Sequence, residues 1–334
     1  MAKRFNILAL SGGGFLGLYS AAILSELERT FGQPISKHFD LIAGTSVGGI
    51  IALGLASDIA ASDIADSFAK GGTAIFSDRP APSGNWQTLR DLLRFARTPK
   101  YQSDGLRRTI EGVIGKETRI GDLKRRIVVP AVNLTKGETQ VFKTPHHPDF
   151  SRDLHRKLVD VALATSAAPF YFPVAEHDDC LFADGGLFAN APDMVAVHEA
   201  EHFLGVALAD IHVLSIGTTT SRFSFAHASG RQLGAIGWVR GQRIFNAILA
   251  TQQQQTTYML GHRLGDRYLR LDAEKSPEQS NYLALDVATA DAQKTLRGLA
   301  TTTVQANINN PSLKGFFTHN AGAPTFFHSL PLVK

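Results

Sequence analysis

The stretch "FDLIAGTSVGGIIALGLA", residues 39–56, interrupts two apolar runs with Gly44-Thr45-Ser46-Val47-Gly48-Gly49. FDLIA has the length and composition of a short buried strand, and Val47 to Leu55 that of a helix. Between them stands a G-x-S-x-G turn, in which a strained strand-to-helix bend holds a serine hydroxyl clear of the backbone. Gly44 and Gly48 remove Cβ atoms that so tight a bend would crowd. The helix that follows aims its first N–H groups back at the turn, which favours negative charge developing there. Ser46 is therefore a candidate nucleophile, although the same pattern also serves a turn used only for strand–helix packing.

The same alternation recurs around this stretch. "FNILAL" (5–10) reads as a buried strand, followed by a glycine turn and by "FLGLYSAAILSELERTFG", a helix with Arg29 near its end and a stop at Gly32. Repeated strand–glycine–helix units predict an open α/β sheet with right-handed crossovers. Residues 59–115 are mostly helical in period, broken by a loop at 77–85. "RRIVVPAVNLTKGETQVFKT" reads as two strands joined by a Lys-Gly turn, and "DLHRKLVDVALATSAAPFYFP" as a helix entering a proline-bounded loop. "CLFADGG" reads as a short strand, "NAPDMVAVHEAEHFL" as a helix capped by Asn190, and "DIHVLSIGT" (210–218) as another strand. Residues 219–237 are polar and glycine-rich, a loop or lid, with helices beyond. No repeat or long linker divides the chain, so residues 1–334 are expected to form one domain.

Composition narrows the classes. The chain has 334 residues, 44% hydrophobic and 19% charged, as an ordinary globular protein does. Its single cysteine, Cys180, excludes an internal disulfide and fits a reducing compartment. The N-terminal apolar run is too short for a signal peptide, and no window approaches 18 uncharged apolar residues, so a cytoplasmic protein without a membrane span is expected. A net charge of +4 gives mild attraction to anionic surfaces without choosing among them. The short basic runs at 106–108 and 123–126 read as solvated faces, and no DNA or RNA partner is expected.

Two further stretches carry chemistry. "LALSGGGFLG" brings Gly12, Gly13, Gly14 and Gly17 together, and successive glycines let main-chain amides approach an anion closely. Gly12-x-Gly14-x-x-Gly17 also fits a dinucleotide fingerprint, which calls for an acidic residue ending the second strand. Asp40 begins that strand instead, and its end carries the serine turn. "FADGGLFANAP" holds Asp184 before Gly185 and Gly186. Free in water, with a pKa of about 3.9, the aspartate is a poor base. Burial raises that value, and a hydrogen bond from Ser46 makes proton transfer direct. Of the twelve histidines, His177 lies seven residues before Asp184, and His198 and His202 share a helix face. "HEAEH" lacks the residue order of the HExxH zinc helix, and no metal is expected.

In chain order, a glycine donor loop, a serine turn and an aspartate turn resemble the patatin-like phospholipases. "ATSAAPFYFPV" (164–174) and "NAP" (190–192) extend the resemblance, which spans residues 7 to about 195. It implies a three-layer α/β/α fold with a mainly parallel central sheet. It makes Ser46 the nucleophile and Asp184 the general base, with an oxyanion hole drawn from the loop Gly12, Gly13, Gly14, Phe15 and Gly17. The implied reaction is attack on a fatty-acyl ester of a membrane phospholipid, with no cofactor. Leu16 departs from the Arg or Lys that the family often has in this loop. Residues 3–56 are similar to a bacterial branch activated by cyclic dinucleotides in antiphage defence, cytosolic effectors that degrade inner-membrane phospholipids. That implies peripheral membrane contact and a cyclic-dinucleotide partner, with residues 219–334 as lid or regulatory part. Arg240, Arg243, Tyr258 and Arg263 offer phosphate pairing and base stacking, and equally fit a solvated helix face. The run "QQQQ" (252–255) reads as exposed helix. Apolar residues around 219–237 suit either membrane contact or a homo-oligomer. A soluble-ester hydrolase and a non-catalytic nucleotide-binding module are the rival classes.

Overall fold

Strand β1 (Phe5–Leu10) is apolar at almost every position because both of its faces are covered: Leu8 and Leu10 enter one buried cluster, Ile7 and Ala9 another. The computed structural model describes residues 4–76, 98–219, 234, 237–238, 243–280 and 282–330. The loop expected at 77–85, most of the lid segment 219–237 and Arg240 lie outside them. Strands β2 (Leu41–Gly44), β3 (Arg126–Asn133), β4 (Glu138–Lys143), β5 (Ala175–His177), β6 (Cys180–Asp184), β7 (Ile211–Ile216) and β8 (Tyr268–Leu271) join β1 in one sheet. The order is β5-β6-β3-β2-β1-β7-β8, with β4 also on β3. The pairs from β3 through β2, β1 and β7 to β8 are parallel, whereas β4 and β6 run antiparallel to β3.

Helices cover both faces, giving the three-layer α/β/α arrangement. On the first face lie α1 (Gly17–Phe31), α2 (Val47–Ala56), α3 (Ala61–Ile75), α4 (Ser103–Ile114) and α5 (Leu158–Thr165), whose apolar sides share a cluster with Leu8 and Leu10. On the second lies α6 (Asp193–His198), with Ala196 and Val197 against Ile7 and Ala9. A later helix, α7 (Arg243–Leu264), belongs to both. Phe245 is in the first cluster and Leu249 packs on it, while Leu260 and Leu264 are in the second. The helix therefore passes across the end of the sheet. Helix α8 (Ala290–Asn307) returns to the first face. No helix among the described residues is long and apolar enough to cross a membrane.

Gly32 ends α1 as its sequence predicts, in the left-handed region at φ 71°, its N–H donating to the Glu28 carbonyl at 2.8 Å. Three readings need correction. β5 and β8 are strands that the sequence reading left out. α5 begins at Leu158 rather than near Asp153. Pro192, not Asn190, is the N-cap of α6; Asn190 closes the single helical turn Gly186–Ala189 that precedes it.

One feature of the sheet positions the site. β2 pairs with β3 over residues 126–128, and β6 pairs with β3 over 131–133. β4 occupies the opposite edge of β3 from Val128 to Asn133, a stretch that reaches both segments. β2 and β6 therefore lie end to end on the same edge. Their C-terminal ends, Gly44 and Asp184, face each other across the gap.

Candidate active site

Ser46 sits in that gap on a strained backbone, φ 56° and ψ −126°. A non-glycine residue there costs on the order of 1–3 kcal/mol and persists only when its surroundings fix it. Four contacts do so. The Ser46 N–H donates to Thr165 Oγ1 (3.0 Å), and that hydroxyl donates to the Pro130 carbonyl (2.6 Å). The Thr45 N–H donates to the Leu10 carbonyl (3.1 Å), and its hydroxyl to that of Ala189 (2.6 Å). A Cβ at Gly44 would run into the Gly48 carbonyl, and one at Gly48 into that of Leu10. The turn requires the glycines that flank the serine.

Asp184 is 3% exposed, and its Oδ1 accepts the Gly186 N–H at 2.7 Å. Burial pushes its carboxyl up to about 7, against the opposing pull of the Gly186 N–H and the Ser46 hydroxyl. That hydroxyl is near enough to the carboxyl to stabilise its ionised form. Gly185 has no room for a side chain beside the Pro130 carbonyl, so the turn after Asp184 stays against β3.

The glycine loop lies alongside, with most of its amides already committed. The Gly12 N–H donates to the Asn190 carbonyl (2.9 Å) and the Phe15 N–H to that of Leu285 (2.7 Å). The Gly17 N–H turns back to the carbonyls of Gly14 and Phe15. The donors expected at Gly12, Phe15 and Gly17 are thus occupied. The Gly13 and Gly14 amides have no acceptor among the described residues, and both residues line a cleft with Ser46 and Asp184. Gly14 adopts φ 55°, and a Cβ there would strike the Leu285 carbonyl. Gly17 serves packing, with Val47 directly against it. Leu16 is buried in the core, so the departure from a basic residue removes any side chain reaching outward from that position.

The cleft measures about 630 Å³ to its open mouth. Ser46, Asp184, Asn190, Gly13 and Gly14 line it together with the apolar side chains of Val47, Ile50, Phe68, Ile75, Phe172 and Phe245. No histidine among the described residues lines it. His177 stacks on Phe182 with centroids 4.3 Å apart, and His198 stacks on His202 at 5.3 Å. A serine, a buried carboxyl with a pKa near neutrality and two unpaired amides at the head of an apolar cleft suit acyl transfer.

The family model for patatin-like phospholipases matches residues 8–197. The chain belongs to that family. It is 42% identical over 326 residues to a "cGAMP-activated phospholipase" of Pseudomonas aeruginosa, covering 97% of this chain and 95% of that one. Proteins of the same name from Vibrio cholerae and Escherichia coli are each 37% identical, over 95% and 94% of this chain and 95% and 93% of their own. The family is one of hydrolases, and the mostly parallel α/β sheet is its fold.

Four residues in or around this patatin-like site are not singled out by the sequence. Thr165 sits in the ATSAAPFYFPV segment, and its hold on the Ser46 amide spans 119 residues of chain. Asn190 was read as a helix cap; instead it lines the cleft, with Oδ1 against Gly12 and Gly186. The small residues at both positions were the available signal. Gln252 and Gln253 are half-buried and bonded to the site's surroundings, which corrects the reading of the glutamine run as exposed helix; only Gln254 and Gln255 are exposed. Of the phosphate-pairing and stacking candidates, Arg243, Tyr258 and Arg263 lie among the described residues, and they are not gathered. Arg243 donates to the Gly237 carbonyl, Arg263 pairs with Glu201, and Tyr258 is 71% exposed. Arg243 and Tyr258 stand fifteen residues apart on α7, roughly 22 Å.

Proposed function

We propose that the protein hydrolyses fatty-acyl esters of membrane phospholipids through a Ser46–Asp184 dyad, and that a cyclic dinucleotide activates it. The observation carrying this reading is the meeting of a strained serine turn and a buried carboxyl beside the unpaired Gly13 and Gly14 amides. Ionised Asp184 takes the Ser46 proton as Oγ attacks the ester carbon. The Gly13 and Gly14 N–H groups hold the tetrahedral oxyanion, where losing one donor typically costs about 10²–10³ in rate. Collapse expels the lysolipid alkoxide, which recovers the proton from Asp184. Water, deprotonated by the same carboxylate, then attacks the acyl-enzyme and releases the fatty acid. The mostly apolar lining of the cleft suits the acyl chain, with Ser46, Asp184 and the glycine amides available to the ester carbonyl.

Activation rests on the relatives named as cGAMP-activated, whose likeness extends over nearly the whole chain. In this reading the enzyme works from the cytoplasm at the inner-membrane surface, as an effector in antiphage defence. The test is fatty-acid release from phospholipid vesicles by wild type, Ser46→Ala and Asp184→Asn across a panel of cyclic dinucleotides. Nucleotide-dependent release by wild type alone is expected. Equal release by Ser46→Ala overturns the dyad, full release without nucleotide overturns the activation, and hydrolysis confined to short soluble esters overturns the membrane substrate.

A further inference from the structure

Helix α7 touches both halves of the site through two adjacent side chains. The Gln252 amide uses both of its ends on the turn that follows Asp184. Its Nε2 donates to the Leu187 carbonyl (2.8 Å), and its Oε1 accepts the Asn190 N–H (3.1 Å). The Asn190 carbonyl in turn accepts the Gly12 N–H (2.9 Å), so one side chain is linked to the base turn and, through one residue, to the glycine loop. Gln253 reaches the other way, its Nε2 lying 3.4 Å from Asp272 Oδ2. That carboxylate pairs with Arg270 (2.8 Å), whose guanidinium also donates to Ser215 (2.7 Å) and to Ser11 (3.3 Å), the residue that opens the glycine loop. Phe245 and Leu249 on the same helix line the cleft.

We propose that Gln252 is a positioning residue, through which the placement of α7 sets the geometry between the Asp184 turn and the Gly13–Gly14 donors. The inference rests on the dyad reading above and adds to it the element that controls the dyad. A carbonyl and an N–H must be met by one planar group, so a primary amide fits where a carboxylate or an ammonium would satisfy only one of them. Glutamine also spans the distance that asparagine would leave open. A ligand or surface that moves α7 thereby acts on base and oxyanion donors together.

The test compares wild type with Gln252→Met, Gln252→Glu and Gln255→Ala, each checked for folding by urea denaturation. Vesicle hydrolysis is followed against pH, together with the rate of Ser46 labelling by a fluorophosphonate. Gln252→Met is expected to lower kcat about 10²-fold with KM within about twofold, the scale of a small misplacement of reacting groups. It is also expected to shift the acid limb of the pH profile, because the Asp184 turn loses its support. Gln252→Glu keeps the acceptor and recovers part of the rate; exposed Gln255→Ala matches wild type. Wild-type kcat and pH profile in folded Gln252→Met overturn the proposal, as do equal losses in the Met and Glu variants with an unmoved profile. If Gln252→Met does not fold, the Glu variant decides alone: a wild-type profile and labelling rate overturn the proposal. Activity surviving in Ser46→Ala is a separate outcome that removes the dyad itself.

Discussion

At Asp184, burial and hydrogen bonding pull in opposite directions, and burial prevails, lifting the carboxyl from 3.8 to about 7. In the proposed dyad Asp184 must be ionised to accept the Ser46 proton, so kcat/KM is expected to rise with pH through about 7, as measured on activated enzyme. The same shift has a stability consequence. Between pH 4 and 7 the unfolded chain releases this proton while the folded protein retains it, so the group's contribution to stability falls as pH rises and levels off above 7. Asp184→Asn removes the buried charge. It is expected to abolish hydrolysis while raising urea stability at pH 8, by on the order of 4 kcal/mol, with the gain largely gone at pH 4. Gly13 offers a second test. A Cβ there would overlap the Thr218 side chain, so Gly13→Ala displaces the proposed oxyanion donor. A loss of about 10²–10³ in kcat is expected, with substrate binding little changed. Asp184 and Gly13 can be singled out as candidates from sequence because turn chemistry is local. The occupied amides of Gly12 and Phe15 were not, because their acceptors, Asn190 and Leu285, lie far along the chain.

Among the elements, the glycine–helix units were readable wherever an apolar period met a stop signal, as at Gly32. β8 was hidden because "YLRL" is four residues long with an arginine in its middle. Arg270 is tolerated in the sheet only because Asp272, Ser215 and Ser11 meet its guanidinium. A second buried charge cluster ties β4 to α6 on the face away from the cleft. Glu199, 1% exposed, lies 2.6 Å from Lys143 Nζ and accepts from His146 Nε2 at 2.9 Å. Lys143 Nζ lies over the rings of Phe150 and Phe203, 4.4 and 4.1 Å from their centroids. Burial holds the His146 pKa below its usual value despite Glu199, leaving Lys143 as the carboxylate's counter-charge at neutral pH. Glu199→Ala strands that ammonium and is expected to cost about 3–5 kcal/mol in urea unfolding, while kcat of the folded protein stays at the wild-type value.

Across the whole molecule, the parallel centre of the sheet could be anticipated from repeated units, and the antiparallel wing could not. The approach of Asp184 to Ser46 depends on a strand that runs against the others and shares an edge of β3 with β2. No periodicity in β6 announces its partner. This arrangement makes chain length in β6 a functional variable. Successive residues of a strand point to opposite sides, so one glycine inserted between Phe182 and Ala183 would send the carboxylate through to the far layer. Hydrolysis and fluorophosphonate labelling are expected to vanish in that variant, whereas one glycine added beside Gly137, at the open hairpin tip, leaves both intact. The distance between attacker and proton acceptor is thus counted in peptide units along a rigid ladder. If the proposed dyad holds, lengthening of the hairpins is tolerated over evolution, whereas an insertion or deletion in the few residues before Asp184 silences the protein at once.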